Sequence, residues 1–164
     1  MEVSNAKGSA RLLHMSIAGS RLLVGESVDS AQLQAALHEG GRCPVLLYPA
    51  TPDGQSLGMP APPAWPLGLD ARRARLVVLD GTWRKSRKML YLNPALQLLP
   101  RLALQAPGVS SYRIRKAHAP DQLSTLEASC LALGQLEGDN GKFDALRASF
   151  ADFVDLFARN QGRL

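Results

Sequence analysis

The chain has 164 residues, 46% of them hydrophobic, and a formal net charge of +5, which suits one globular domain with a real core. No apolar run approaches the length of a membrane span, and Met1-Glu2-Val3-Ser4 lacks the basic and apolar regions of a signal peptide. A cytoplasmic chain is therefore expected. The two cysteines, Cys43 and Cys130, are far apart and lack metal-ligand spacing. They fit reduced thiols and argue against a metal site built from them.

In chain order, residues 10–15 hold a turn or helix, and Arg21-Leu22-Leu23-Val24-Gly25 reads as a short strand. Asp29 or Ser30 can cap a helix over residues 31–38 that turns Leu33, Ala36 and Leu37 inward, and Gly40-Gly41 ends it. Pro44-Val45-Leu46-Leu47-Tyr48 is apolar without alternation, as in a strand buried on both faces. Strand, helix, strand predicts a parallel pair. Residues 49–66 contain six of the eleven prolines, a composition that predicts a loop. Because it leaves the carboxyl end of a strand, it reads as a flap over a site; a variable surface insertion is the plainer alternative.

Leu76-Val77-Val78-Leu79 reads as the central strand, Asp80-Gly81 as a turn, and Thr82 as the cap of a helix over residues 83–92. A carboxylate therefore sits at the carboxyl end of a strand, where open α/β sheets bind ligands. Taken alone, such an Asp is more often a turn or cap residue, and a Trp at position 83 more often core. On the helix, Arg84, Arg87 and Lys88 share one face while Met89 and Leu90 turn inward. Asn93-Pro94 restarts a short helix that Pro100 stops, and Arg101-Leu102-Ala103-Leu104 is a third strand. Tyr112 and Ile114 alternate with Arg113 and Arg115, whose side points outward. Ser124-Thr125 caps a helix running through Leu136, with Glu127 in capping-box position, a cap rather than an acid catalyst. Residues 142–159 form an amphipathic helix whose stripe of Phe143, Leu146, Phe150, Phe153, Val154 and Phe157 includes every Phe in the chain. That stripe is expected to dock on the sheet, a dimer contact being the lesser alternative.

Charge is distributed unevenly. Residues 81–120 contain no Asp or Glu, but carry Arg84, Lys85, Arg87, Lys88, Arg101, Arg113, Arg115 and Lys116. A cationic surface next to the Asp80 turn points to an anionic macromolecule such as RNA. The residues alone thus predict a single α/β domain with a largely parallel sheet flanked by helices.

Asp80-Gly81-Thr82-Trp83 with the basic helix after it resembles the signature of the DTW-domain family of tRNA-uridine aminocarboxypropyltransferases. Leu46-Leu47-Tyr48-Pro49, Tyr112-Arg113-Ile114-Arg115 and Ser124-Thr125-Leu126-Glu127-Ala128 agree in order and rough spacing, so the resemblance spans most of residues 45–133. Two departures lie at the N-terminus. The cysteine cluster of many members is absent, and Lys7-Gly8-Ser9-Ala10-Arg11 is a degenerate counterpart of the family's Asn-Thr-Gly-Arg-like stretch. They imply a late start or a reduced branch of the family.

The resemblance implies a fold similar to knotted SPOUT-type methyltransferases, with residues 1–164 as one S-adenosylmethionine-binding domain. It further implies transfer of the donor's 3-amino-3-carboxypropyl group to N3 of a tRNA uridine, without a metal because the sulfonium is already an activated leaving group. Asp80, Thr82 and Trp83 are the implied catalytic residues. Asp80 would act as base or hold the donor's α-amino group; an ordinary aspartate, with a pKa of about 4, suits a weakly acidic imide poorly unless desolvated. Trp83 would stack on the target base or on adenine. Leu47, Tyr48, Pro49, Ala50, Gly81, Leu123, Ser124 and Thr125 would line the donor site, and Arg84, Arg87, Lys88, Arg113, Arg115 and Lys116 would hold tRNA phosphates. No membrane or protein partner is implied. A methyltransferase using the same donor and a non-catalytic RNA-binding domain are the alternatives.

Overall fold

Three consecutive residues, Pro44, Val45 and Leu46, are buried in strand β1 (Cys43–Leu47), and burial on both faces makes it the middle of the sheet. The computed structural model describes residues 5–49, 58–105 and 123–161. Strand β2 (Ala74–Val77) and strand β3 (Arg101–Leu102) flank β1 in the order β2-β1-β3, both parallel to it. The amides of Leu46 and Tyr48 donate to the carbonyls of Pro100 and Leu102 at 2.9 and 3.1 Å. By alternation, the amide that Pro44 lacks would point to where β3 has not yet begun, so the proline removes no ladder bond.

The described residues form six α-helices beside the sheet: α1 (Asn5–Ser16), α2 (Ser30–His38), α3 (Trp83–Leu92), α4 (Pro94–Gln97), α5 (Thr125–Glu137) and α6 (Asp144–Gln161). Leu33 and Leu37 of α2 bury against Leu46 of β1, Leu90 of α3, and Leu96 and Leu99 around α4. A second cluster joins Leu126 and Cys130 of α5 to Phe150 of α6, with Leu12 and Leu13 of α1 packed on it. Burial pushes the Cys130 thiol up to about 11, and both cysteines are free thiols. Among the described residues no helix is long and apolar enough to cross a membrane.

The α/β architecture with a parallel sheet is as the sequence reading expects, and several elements differ. Arg21-Leu22-Leu23-Val24-Gly25 is not a strand: Leu22 and Val24 are exposed, and the segment is tied down by side chains instead. Arg21 pairs with Glu39, while buried Asn93 accepts from the Val28 amide and donates to the Glu26 and Met89 carbonyls. Among the described residues the strand before Asp80 lies at the edge of the sheet rather than at its centre, and each of its residues is only half-buried. Among the described side chains of the α6 stripe, Phe143, Leu146, Phe150 and Val154 pack into the cluster with α5 and α1 rather than into the cluster on the sheet. The alternating segment 112–115 lies outside the described residues, as does the Phe157 side chain.

Gly134 lets α5 meet the turn that follows it. A Cβ there would stand 2.9 Å from the Asp139 carbonyl oxygen and 3.1 Å from the Asn140 Cα, both backbone atoms that yield poorly. Gly134→Ala is therefore expected to destabilise the protein by about 1–2 kcal/mol in spite of better helix propensity. A thermal melt reads this directly; an unchanged or higher Tm would show that the turn relaxes freely.

Candidate active site at the carboxyl ends of the strands

The chain leaves β2 through Val78 and Leu79 and reaches the Asp80 turn at the carboxyl end of the sheet. Thr82 caps α3 there, its side chain accepting from the Lys85 amide at 3.3 Å. Gly81 permits the tight approach, since a Cβ would lie 3.0 Å from the Lys85 Cβ. Forty-four residues after Asp80, Ser124 caps α5 with a complete capping box. Its hydroxyl accepts from the Glu127 amide, and the buried Glu127 carboxylate accepts from both the Ser124 amide and hydroxyl at 2.9 Å. This box fixes the first turn of α5, and with it Thr125. The Thr125 hydroxyl donates to Asp80 Oδ1 at 2.6 Å. Two loops remote in sequence are thereby pinned together around one carboxylate.

An aromatic pair and a cation gather at the end of β1. Trp83 is 58% exposed, and its ring stands edge-on to Tyr48 with centroids 5.8 Å apart at 82°. Trp83 is thus not a core residue. The Arg101 guanidinium lies over the other partner of that pair, 4.7 Å from the Tyr48 ring centroid. Burial lowers the Arg101 pKa from its ordinary value, the signature of a cation held partly out of water. Arg101 also lines an open cleft of about 520 Å³ beside β3, opposite Trp65 of the proline-rich loop. In the same loop, Met59 packs into the first cluster beside Tyr48 and Leu79.

The basic helix is exposed as expected, but one of its cations is already paired. Lys88 Nζ lies 2.5 Å from Glu26 Oε2, while among the described residues Arg84 and Arg87 form no ion pair. The hydrogen bond from Lys88, then its charge, holds the Glu26 carboxyl below its ordinary pKa. A depressed carboxylate pKa means that the pair stabilises the fold above the ordinary carboxylate range and is lost as pH falls through the folded value. NMR titration should accordingly find the Glu26 pKa higher in Lys88→Met than in the wild type; equal values would show the pair is not formed in solution.

Of the residues singled out from sequence, the structure brings together Asp80, Gly81, Thr82 and Trp83 with Tyr48 at the end of β1 and Ser124 and Thr125 at the start of α5. Leu47 and Pro49 flank Tyr48, and Leu123 precedes the cap. Ala50, Arg113, Arg115 and Lys116 lie outside the described residues. Thr82 serves α3 as a cap, the role its position implies. In the sequence Arg101 stands out as a charge at the head of the third strand and not as a site residue; a cation opening an otherwise apolar strand is the signal for it. Among the described residues no group of three or more His, Cys, Asp or Glu could hold a metal ion.

A family model for the DTW domain matches residues 1–158. The chain belongs to the DTW-domain family. A Drosophila melanogaster protein named tRNA-uridine aminocarboxypropyltransferase 2 is 40% identical over 62 residues, which are 38% of this chain and 25% of that one. The Mus musculus protein of the same name is 34% identical over 65 residues, 40% of this chain and 22% of the relative. The matched stretch is thus about a quarter of the length of these curated relatives. No solved structure matches the chain, so the SPOUT-type likeness rests on the family resemblance alone. In this DTW domain Asp80, Thr82 and Trp83 occupy one turn between β2 and α3, and the Thr125 bond ties that turn to the Ser124 block.

Proposed function

We propose that this DTW domain transfers the 3-amino-3-carboxypropyl group of S-adenosylmethionine to N3 of a tRNA uridine, releasing methylthioadenosine. The observation that carries the reading is the 2.6 Å hydrogen bond from Thr125 to Asp80. It places a fixed carboxylate beside an exposed Trp at the carboxyl end of a parallel sheet, with a cationic helix leaving the same turn. The names of the relatives supply the reaction class.

The residues present fit such a donor: Tyr48 and Trp83 offer aromatic faces, Asp80 a carboxylate for an ammonium or an N3 proton, and Leu47, Pro49, Gly81, Leu123, Ser124 and Thr125 the surrounding backbone. When bound, S-adenosylmethionine supplies a sulfonium leaving group on the carbon to be transferred. Asp80 takes the N3 proton of the uridine, and Thr125 keeps the carboxylate aimed. Trp83 supports a flat ring, and Arg84, Arg87, Lys88, Arg113, Arg115 and Lys116 hold phosphates.

Metal-stripped protein is expected to bind S-adenosylmethionine in a calorimeter and, given tRNA, to release methylthioadenosine. No binding at millimolar donor, or release of S-adenosylhomocysteine instead, would overturn the proposal, the latter in favour of a methyltransferase.

A further inference from the structure

We infer that the exposed face of α3 docks an unpaired RNA strand, with Tyr91 as a base-stacking platform and Arg84 and Arg87 as its phosphate contacts. The inference rests on the tRNA reading above and narrows it, from tRNA in general to a loop or other single-stranded segment.

The helix geometry makes the first step. Trp83, Arg87 and Tyr91 recur every four residues, so they form one row along the helix that rises about 6 Å per step. Arg84 stands beside that row, three residues from Arg87 and seven from Tyr91. Ser86 and Leu90 are the buried residues of α3, whereas Trp83, Arg84, Arg87 and Tyr91 are all exposed, which leaves the row to solvent. Tyr91 is 64% exposed and Trp83 58%, so two large rings on one ten-residue helix contribute little to the core.

Charge makes the second step. Residues 81–120 contain no carboxylate, and the Glu26 that reaches α3 from elsewhere pairs with Lys88. Lys88 is therefore partly neutralised, and Arg84 and Arg87 carry the attraction for an anion. A surface that only gripped phosphates would need no aromatic among its cations. Aromatic rings interleaved with arginines match a strand whose bases are unstacked from each other and whose phosphates run alongside. A duplex keeps its bases stacked inside and offers no face to Tyr91. The row ends at Trp83, edge-on to Tyr48 and next to Asp80, so a strand lying on α3 leads into the candidate site.

The test is fluorescence anisotropy with a short single-stranded RNA oligonucleotide and with the duplex of the same sequence. The single strand should bind more tightly. Tyr91→Ala should weaken it by at least about fivefold with an unchanged salt slope, and Tyr91→Phe should restore it; Tyr91 is exposed, so both variants should melt as the wild type does. Arg84→Ala with Arg87→Ala should flatten the slope of log K against log salt by about 1.4, and Lys88→Ala should change it less. Equal binding of the duplex, an unaffected Tyr91→Ala, or competition by polyglutamate as strong as by RNA would each overturn the inference, the last in favour of an acidic protein. Wild-type transfer to tRNA is measured separately. If transfer occurs and Tyr91→Ala is neutral in binding, only this inference fails; if transfer is absent and Tyr91-dependent binding holds, only the enzymatic reading fails.

Discussion

Asp80→Asn is expected to lower transfer to tRNA by about 10²–10⁴-fold, while the affinity for S-adenosylmethionine moves no more than a few-fold. A base acts in the transition state, so its loss appears in rate. Asn keeps the shape of the side chain and an oxygen to accept from Thr125, whose hydroxyl stands 2.6 Å from Asp80 in the native protein, so the turn should survive. The comparison to make is single-turnover rate beside calorimetric affinity. If affinity collapses in step with rate, Asp80 instead holds the donor's amino group and the base lies elsewhere. Thr82→Ala serves as the folding control, with an expected loss of about 1 kcal/mol from the cap of α3.

Leu90→Ala should give the largest loss of stability, about 2–5 kcal/mol, and lower Tm by roughly 4–20 °C. Leu90 has no exposed surface and joins α3 to Leu33, Leu37, Leu46, Leu96 and Leu99. It is the anchor that holds the helix after the Asp80 turn against the sheet, and truncation leaves a cavity among side chains from three elements. Leu92→Ala, at a position 39% exposed on the same helix, should have a much smaller effect. Similar losses for the two variants would mean that packing under Leu90 does not secure α3.

Where local chemistry decides structure, the sequence reading holds. Thr82 and Ser124 are caps with the expected partners, the bounds of α3 follow from its cap and apolar side, and the uninterrupted apolar run of β1 marks the buried strand. Where assembly decides, it does not. Leu76-Val77-Val78-Leu79 is as apolar as β1, yet among the described residues its strand lies at the sheet edge and carries Arg75, whose guanidinium reaches the Ala36 carbonyl. Leu22-Leu23-Val24 has strand-like residues but forms no strand, and side-chain ties from Asn93 and Glu39 hold its surroundings. The α6 stripe signals burial without naming the surface that buries it. The same limit applies to the site: the Asp80 turn was marked by its position after a strand, whereas its bond to Thr125 and the stacking of Arg101 on Tyr48 join residues far apart in the chain. No local periodicity encodes either contact. The pairing of Lys88 with Glu26 is of this kind too, since an acid-free stretch of sequence is not an acid-free surface.

The most direct measurement is mass spectrometry of nucleosides from tRNA incubated with this protein and S-adenosylmethionine. The account predicts a uridine bearing a 3-amino-3-carboxypropyl group in place of its N3 hydrogen, absent with Asp80→Asn. A methylated nucleoside, or unmodified tRNA from protein that binds the donor, would contradict it.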